Sequence, residues 1–397
     1  MGDIKDIKNE IFYILLFVFF FNLFLAYEDP IENVFLIISY SGLIMIFKNR
    51  SKLNTKRRII FLIIFMLIFY IISVFFLFTQ SYNMNLKTSY IGRKSEKTAV
   101  LLTYYGEDNM FNMGKRINDL KMDENFINKV KAPFILHKTK RNYEEIGQSD
   151  YIKNTIKVKK EVEKRLNENY KVYLGYLKST KYIEEILINI VNDGYYKIIV
   201  VPVFITEGNE FTELKERINN LKLFNQNIYI KWTEPLWDSE KIINSYVEKI
   251  LFETDINKTS DTGILLIGHG ERGYGREEYI EGIKQDLLFR KKIKNYLVND
   301  IKIGKNKIKL AWMNYVEPNY VYEFQRLLEY GVGNIICLYV NPSATNIENY
   351  TIAFEIKEEV EIPEGVKVKV VDGFLNDAYF IEELVSRIKF TNLQKWN

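Results

Sequence analysis

The chain has 397 residues, of which 55 are basic and 51 acidic, giving a formal charge of +4. That length predicts about two to three folding units and excludes a disulfide-stapled miniprotein. The near balance of charge excludes the strong basic excess of a dedicated nucleic-acid binder, and the single cysteine, Cys337, in the apolar run 335–340, can form neither an intramolecular disulfide nor a thiolate metal cage.

Residues 1–80 read as a membrane anchor. Three apolar runs, at 11–27, 31–47 and 59–79, approach or reach the roughly 20 residues that cross a bilayer as helix, and the third carries no charge. Glu32 and Asn33 belong at an interface, and a hairpin that spans as a pair leaves no backbone polar group in lipid. Phe24-Leu25-Ala26 is not a small-x-small cleavage site and two further runs follow, which argues against a cleaved signal peptide. Lys48, Arg50, Lys52, Lys56, Arg57 and Arg58 crowd the second connection, whereas the first carries Glu28, Asp29 and Glu32. The excess of positive charge assigns the second connection to the cytoplasm. The N-terminus is then cytoplasmic and the chain after residue 80 extracytoplasmic in a cell membrane, with the lipid bilayer as partner; Lys87, Arg93, Lys94 and Lys97 on the outer side count the other way.

From residue 95 onward, short apolar runs alternate with longer amphipathic stretches, the pattern of an α/β protein with parallel sheets. Strands are expected at 99–104, 172–176 and 198–204, and helices at 150–170 and 182–192. The second half repeats the first: AVLLTYYGED at 99–108 aligns with GILLIGHGER at 263–272, and the segment from Lys171 aligns with that from Lys307. Two similar lobes are therefore expected, at about 95–250 and 262–397, joined by the polar stretch TDINKTSDT. Parallel sheets bind ligands beyond the carboxyl ends of their strands, so a cleft between the lobes would be lined by the loops after Tyr104, Thr206, Gly268, Asn314 and Asn341.

Of the two histidines, His269 follows an expected strand at 263–267 and is flanked by Gly268 and Gly270, which clear space around the ring. Its imidazole can ligate a divalent metal or accept a proton. His137 has no such surroundings and reads as structural. Glu317, before Pro318 at an expected helix start, and Glu348, after the strand at 335–340, are candidate carboxylate partners. Glu207, Asn209 and Glu210 occupy the matching end in the first lobe. One imidazole and two carboxylates suit a divalent transition metal and equally suit a proton relay. Gly268-His-Gly-Glu-Arg-Gly273 spells G-x-G-x-x-G only superficially, because the helix that should open there is delayed, so no nucleotide is expected. G-x-S-x-G, Walker A, H-E-x-x-H and C-x-x-C motifs are absent. Tyr104, Tyr105, Trp312 and Tyr315 lie at strand ends where a flat ligand would sit.

These residues resemble the class II tetrapyrrole chelatases, the group of the sirohydrochlorin cobalto- and ferrochelatases and protoporphyrin ferrochelatase. Ile264-Leu-Leu-Ile-Gly-His-Gly-Glu-Arg272 looks like the histidine-bearing strand and loop of the sirohydrochlorin enzymes. Ala311-Trp-Met-Asn-Tyr-Val-Glu-Pro318 is similar to their next strand, and Ala99-Val-Leu-Leu-Thr-Tyr-Tyr-Gly106 to the first strand of two-lobed members. The likeness spans about 300 residues, chiefly at strand ends. It implies a metal chelatase, a lyase that inserts Co2+ or Fe2+ as substrate into a tetrapyrrole such as sirohydrochlorin, with no nucleotide. His269 and Glu317 would be catalytic, His269, Glu317 and Glu348 would hold the metal, and Tyr104, Tyr105, Glu207 and Tyr315 would contact the tetrapyrrole. The second histidine that many sirohydrochlorin chelatases carry is absent from 339–348, Tyr105 stands where His269 stands in the second lobe, and the family usually has no such anchor. The alternative function is a non-catalytic extracytoplasmic protein that binds haem, another tetrapyrrole or a metal on the same fold.

Overall fold

The computed structural model describes residues 2–48, 55–87, 95–122, 125–254, 261–271, 273, 277–343 and 346–396. The basic residues Arg50, Lys52, Arg93, Lys94 and Arg272, and most of the expected linker between the lobes, lie outside them. The chain forms two compact units, one of Met1–Asn83 with Met110–Gln148, the other of Met84–Asn109 with Ser149–Asn397.

In the first unit α1 (Gly2–Ala26), α2 (Ile31–Lys48) and α3 (Thr55–Thr79) contain segments of mean hydropathy 2.0, 1.5 and 3.2, long and apolar enough to cross a membrane. Polar side chains tie them together. Arg58 Nε donates to Glu10 at 2.6 Å and Asn22 Nδ2 to Ser73 Oγ at 2.8 Å, so α1 and α3 run parallel. Ser39 Oγ donates to the Phe17 carbonyl at 2.9 Å, and a Cβ on Gly42 would stand 2.7 Å from Phe17 N, so α2 approaches α1 through its smallest residue. Three further helices complete this unit: α4 (Met113–Met122), α5 (Phe126–Val130) and α6 (Ala132–Ile146). They interrupt the first lobe between its first strand and its first long helix, where the sequence pattern had announced nothing.

In the second unit, lobe 1 consists of β1 (Thr98–Tyr104), α7 (Tyr151–Arg165), β2 (Tyr170–Tyr176), α8 (Ile183–Asn192), β3 (Lys197–Pro202), α9 (Asn209–Asn220), β4 (Tyr229–Trp232) and α10 (Glu240–Glu253). Lobe 2 follows the same order: β5 (Thr262–Gly268), α11 (Glu277–Asn299), β6 (Ile308–Trp312), α12 (Tyr320–Glu329), β7 (Asn334–Tyr339), α13 (Asn346–Glu359), β8 (Lys367–Val371) and α14 (Ala378–Leu393). Each sheet is fully parallel, in the orders β2-β1-β3-β4 and β6-β5-β7-β8. The expected fold class, two similar lobes with parallel sheets, is the one observed.

Central strands covered on both faces read as unbroken apolar runs. TAVLLTY in β1 and TGILLIG in β5 are buried at every residue. One continuous core joins the lobes, packing Val100, Leu102, Ile264 and Leu266 with Tyr246, Phe289 and Phe380 from the helices between the sheets. The outer faces have their own cores, under α8 and α9 in lobe 1 and under α12 and α13 in lobe 2. The lobes therefore share one buried core beneath their strand ends.

Candidate active site

A cleft opens beyond the carboxyl ends of the strands, lined by Phe204, Thr206 and Glu210 from lobe 1 and by His269, Glu271, Asp286, Trp312 and Asn341 from lobe 2. His269 leaves β5 one residue past its end. Gly270, at φ +84°, turns the chain beside the Asn314 carbonyl, where a Cβ would stand 1.9 Å from the oxygen; only glycine fits there. His269 is half-buried, and its Nδ1 lies 2.8 Å from the Gly270 carbonyl. A carbonyl only accepts, so Nδ1 carries a proton, and the basic nitrogen of the neutral ring is Nε2. Tyr315 and Tyr339 set their rings against the imidazole, each at 6.5 Å between centroids.

Three carboxylates share the cleft with this imidazole. Glu271 reaches across to lobe 1, where its Oε2 accepts the backbone N–H of Asn209, the first residue of α9, at 3.1 Å. Burial pushes its carboxyl up from 4.5 to about 8, helped by the charges of Glu210 and Asp286 and opposed by Asn209 and His269. Burial also raises Asp286, against the attraction of Arg290, with which it pairs along α11. The Arg290 guanidinium is fully buried; it donates to the Leu266 and Ala311 carbonyls, at 3.1 and 2.6 Å, and lies 4.1 Å over the Trp312 ring. A Cβ on Gly268 would meet both Asp286 and Arg290 at 2.7 Å, so the end of β5 is shaped around this pair. The result is an imidazole facing the Glu271 carboxyl, which burial favours in its protonated form, with the Asp286–Arg290 pair beneath.

The structure distributes the expected site residues unevenly. His269 lines the cleft, and Tyr315, exposed, stands beside it. Glu207 is half-buried next to the lining residue Thr206, and its backbone N–H donates to Gln285 Oε1 at 2.9 Å. Tyr105 is half-buried against the outer core of lobe 1, with its N–H donating to Ser343 Oγ at 2.8 Å. Two placements correct the sequence reading. Tyr104 is wholly buried between Tyr151 and Phe374, because the last residue of a central strand still points into the layer beneath, and its ring has no face left for a ligand. Glu317 is exposed and does not line the cleft; its carboxylate accepts the Asn319 N–H at 2.8 Å and caps the start of α12. Glu348 lies in α13 with its side chain outside the described residues. Among the described residues no group of three or more His, Cys, Asp or Glu side chains forms a ready-made metal cage. His137 belongs to the first unit, where its ring packs against Phe24 of the same unit.

Glu271, Asp286 and Arg290 were not anticipated. Glu271 had a signal, two residues beyond His269 on the far side of a required glycine. Asp286 and Arg290 had one as well: opposite charges four apart on a helix face otherwise made of Ile283, Phe289 and Ile293.

Two parallel four-stranded lobes of one topology, with a single histidine at the strand ends of the second, define a chelatase-like fold. The ferrochelatase family model matches residues 103–271. The ferrochelatase of Aquifex aeolicus (strain VF5) is 23% identical over 247 residues, which cover 59% of this chain and 69% of that one. Among solved structures, SirB from Bacillus subtilis with Fe3+ superposes with a TM-score of 0.51 at 13% identity, over 76% of this chain and 100% of its own. SirB from Bacillus subtilis subspecies spizizenii in complex with cobalt gives 0.47 at 13% identity, over 74% and 95%. The chain thus has the chelatase-like fold and a ferrochelatase family match across the first lobe and the His269 strand, in line with the resemblance its strand-end motifs carry.

Proposed function

We propose that this protein inserts a divalent metal ion, Fe2+ or Co2+, into a tetrapyrrole such as sirohydrochlorin, and does so anchored in a cell membrane, with its N-terminus cytoplasmic and its cleft extracytoplasmic. The observation that carries the reading is His269, half-buried in a cleft that also holds Glu210, Glu271 and Asp286. Insertion requires removing water from the ion, making the ring nitrogens accessible and taking away two N–H protons. Nε2 can ligate the ion or accept a pyrrole proton. Glu210, in the first turn of α9, supplies negative charge for the incoming cation. Tyr315 offers an exposed ring beside His269 for the edge of a macrocycle. The hydropathy of α1, α2 and α3 supports the anchor, and the basic residues between α2 and α3 support the orientation.

The test uses the full chain in detergent micelles with Co2+ or Fe2+ and sirohydrochlorin or a porphyrin, followed by absorbance. Metal insertion above the metal-only rate that disappears in His269→Ala supports the proposal. A rate equal to that control, unchanged by His269→Ala, rejects it. Cysteine-labelling with reporters in the 48–58 connection and at the C-terminus tests the orientation.

A further inference from the structure

The helices α4–α6 form an insertion in lobe 1 that folds with α1–α3. Lys140 anchors it: this buried cation pairs with Glu32, donates to the Tyr27 carbonyl at 3.1 Å, and lies 5.3 Å over the Phe24 ring. From there α6 descends. His137 lies against Phe24, and Phe134 stacks on Tyr70, whose hydroxyl donates to the Val130 carbonyl at 2.5 Å. Tyr70 is nine residues before the end of α3, about 13 Å along its axis. The corner between α5 and α6 thus lies well below the ends of the apolar helices, while α4 stays level with them, its Gly114 carbonyl accepting the Tyr82 N–H at 3.0 Å.

At that corner much of the exposed surface is apolar, beside Lys131, which joins the two helices. Phe126 is 73% exposed, Phe134 53% and Ile127 58%. The α3 residues Leu67 and Ile71, on either side of Tyr70, are exposed too, so α3 and the corner present apolar surface at the same depth. Around it Lys129, Lys131 and Lys138 add positive charge, whereas Lys140 pairs with Glu32 and Arg141 with Glu144 and Glu145. An apolar tip with cations on long stems that reach toward headgroups is the composition of a segment lying in an anionic bilayer interface.

We infer that the α5–α6 corner is itself embedded in the bilayer, dipping into the leaflet on the side where α1 and α3 end, so that the protein holds its membrane by a re-entrant hairpin as well as by its spans. The occupant of this surface is lipid with anionic headgroups. The inference rests on the reading of α1–α3 as membrane spans.

Single cysteines at Ile127, Phe134, Ile63 and Phe224 test it in the full chain, reconstituted in mixed phosphatidylcholine and phosphatidylglycerol vesicles and treated with a water-soluble maleimide. Cys337 is buried, with its thiol pushed up to about 12, and gives little background. Ile127→Cys and Phe134→Cys are expected to react about tenfold or more slowly than Phe224→Cys, as Ile63→Cys on α3 does, because a thiol in hydrocarbon rarely ionises. If the two corner positions react as fast as Phe224→Cys while Ile63→Cys stays slow, the inference falls and the spans stand. If Ile63→Cys is also fast, both fall. Phe134→Trp keeps an aromatic ring at the corner; absence of added emission quenched by brominated lipid would equally overturn the inference.

Discussion

Glu107 and Glu271 make the same contact in opposite directions. Each follows a glycine at positive φ just past the central strand of its lobe, and each carboxylate caps a helix of the other lobe: Glu271 accepts the N–H of Asn209 at the start of α9, and Glu107 that of Ile347 at the start of α13, at 3.2 Å. The duplication read in TYYGE and IGHGE thus survives as a reciprocal clasp across the cleft, with His269 in one arm and Tyr105 in the other. A buried carboxylate at a helix N-terminus gains from both the hydrogen bond and the helix dipole. Glu107→Ala is expected to cost about 1–2 kcal/mol in denaturant unfolding of the detergent-solubilised chain, and to leave His269 in place.

The carboxyl of Glu271 gives the clasp a pH dependence. Its folded pKa, about 8, stands above the ordinary 4.5, so the folded state holds this proton more tightly than the unfolded state. The stability it contributes is fully present below about 4.5 and is lost as the pH rises through about 8. Thermal melting of the full chain is expected to shift downward across that window, and Glu271→Gln to flatten this part of the profile.

Beneath the cleft, Arg290→Met would strand Asp286 as a buried charge without its partner. The expected loss is about 3–5 kcal/mol, with much of it recovered in the Arg290→Met, Asp286→Leu double variant, because an apolar pair of similar volume needs no compensation. A double-mutant cycle by chemical denaturation measures both.

Gly270→Ala forces a Cβ against the Asn314 carbonyl from a backbone angle that disfavours any side chain. A loss of at least about 2 kcal/mol is expected, together with loss of whatever depends on the His269 ring position.

The exposed position of Glu317 separates two roles that the sequence left together. Glu317→Gln is expected to change metal insertion by no more than about twofold, whereas His269→Ala abolishes it. Steady-state assays of the two variants side by side decide the matter.

The parallel lobes were legible because central strands buried on both faces must be chiefly apolar, and β1, β3, β5 and β7 each carry such a run. His269 was legible because two glycines around a histidine at a strand end have few packing reasons to be there. The rest depends on distance in space. Nothing local to Glu317 says that its carboxylate turns back to cap α12, and nothing local to Asp286, eighteen residues after β5, says that α11 carries it beneath that strand's end. Helices α4–α6 were missed for a related reason: they pack on α1 and α3, remote in sequence, and the net pattern of 110–148 is that of an ordinary polar surface segment.

The placement of that insertion has a practical corollary. The chain passes from one unit to the other and back at 83–84, 109–110 and 148–149. No single cut separates the two-lobed unit from the apolar one: a fragment starting at residue 95 would still carry α4–α6, stripped of the helices that cover Leu136 and Lys140, and would be expected to precipitate unless 110–148 were excised as well.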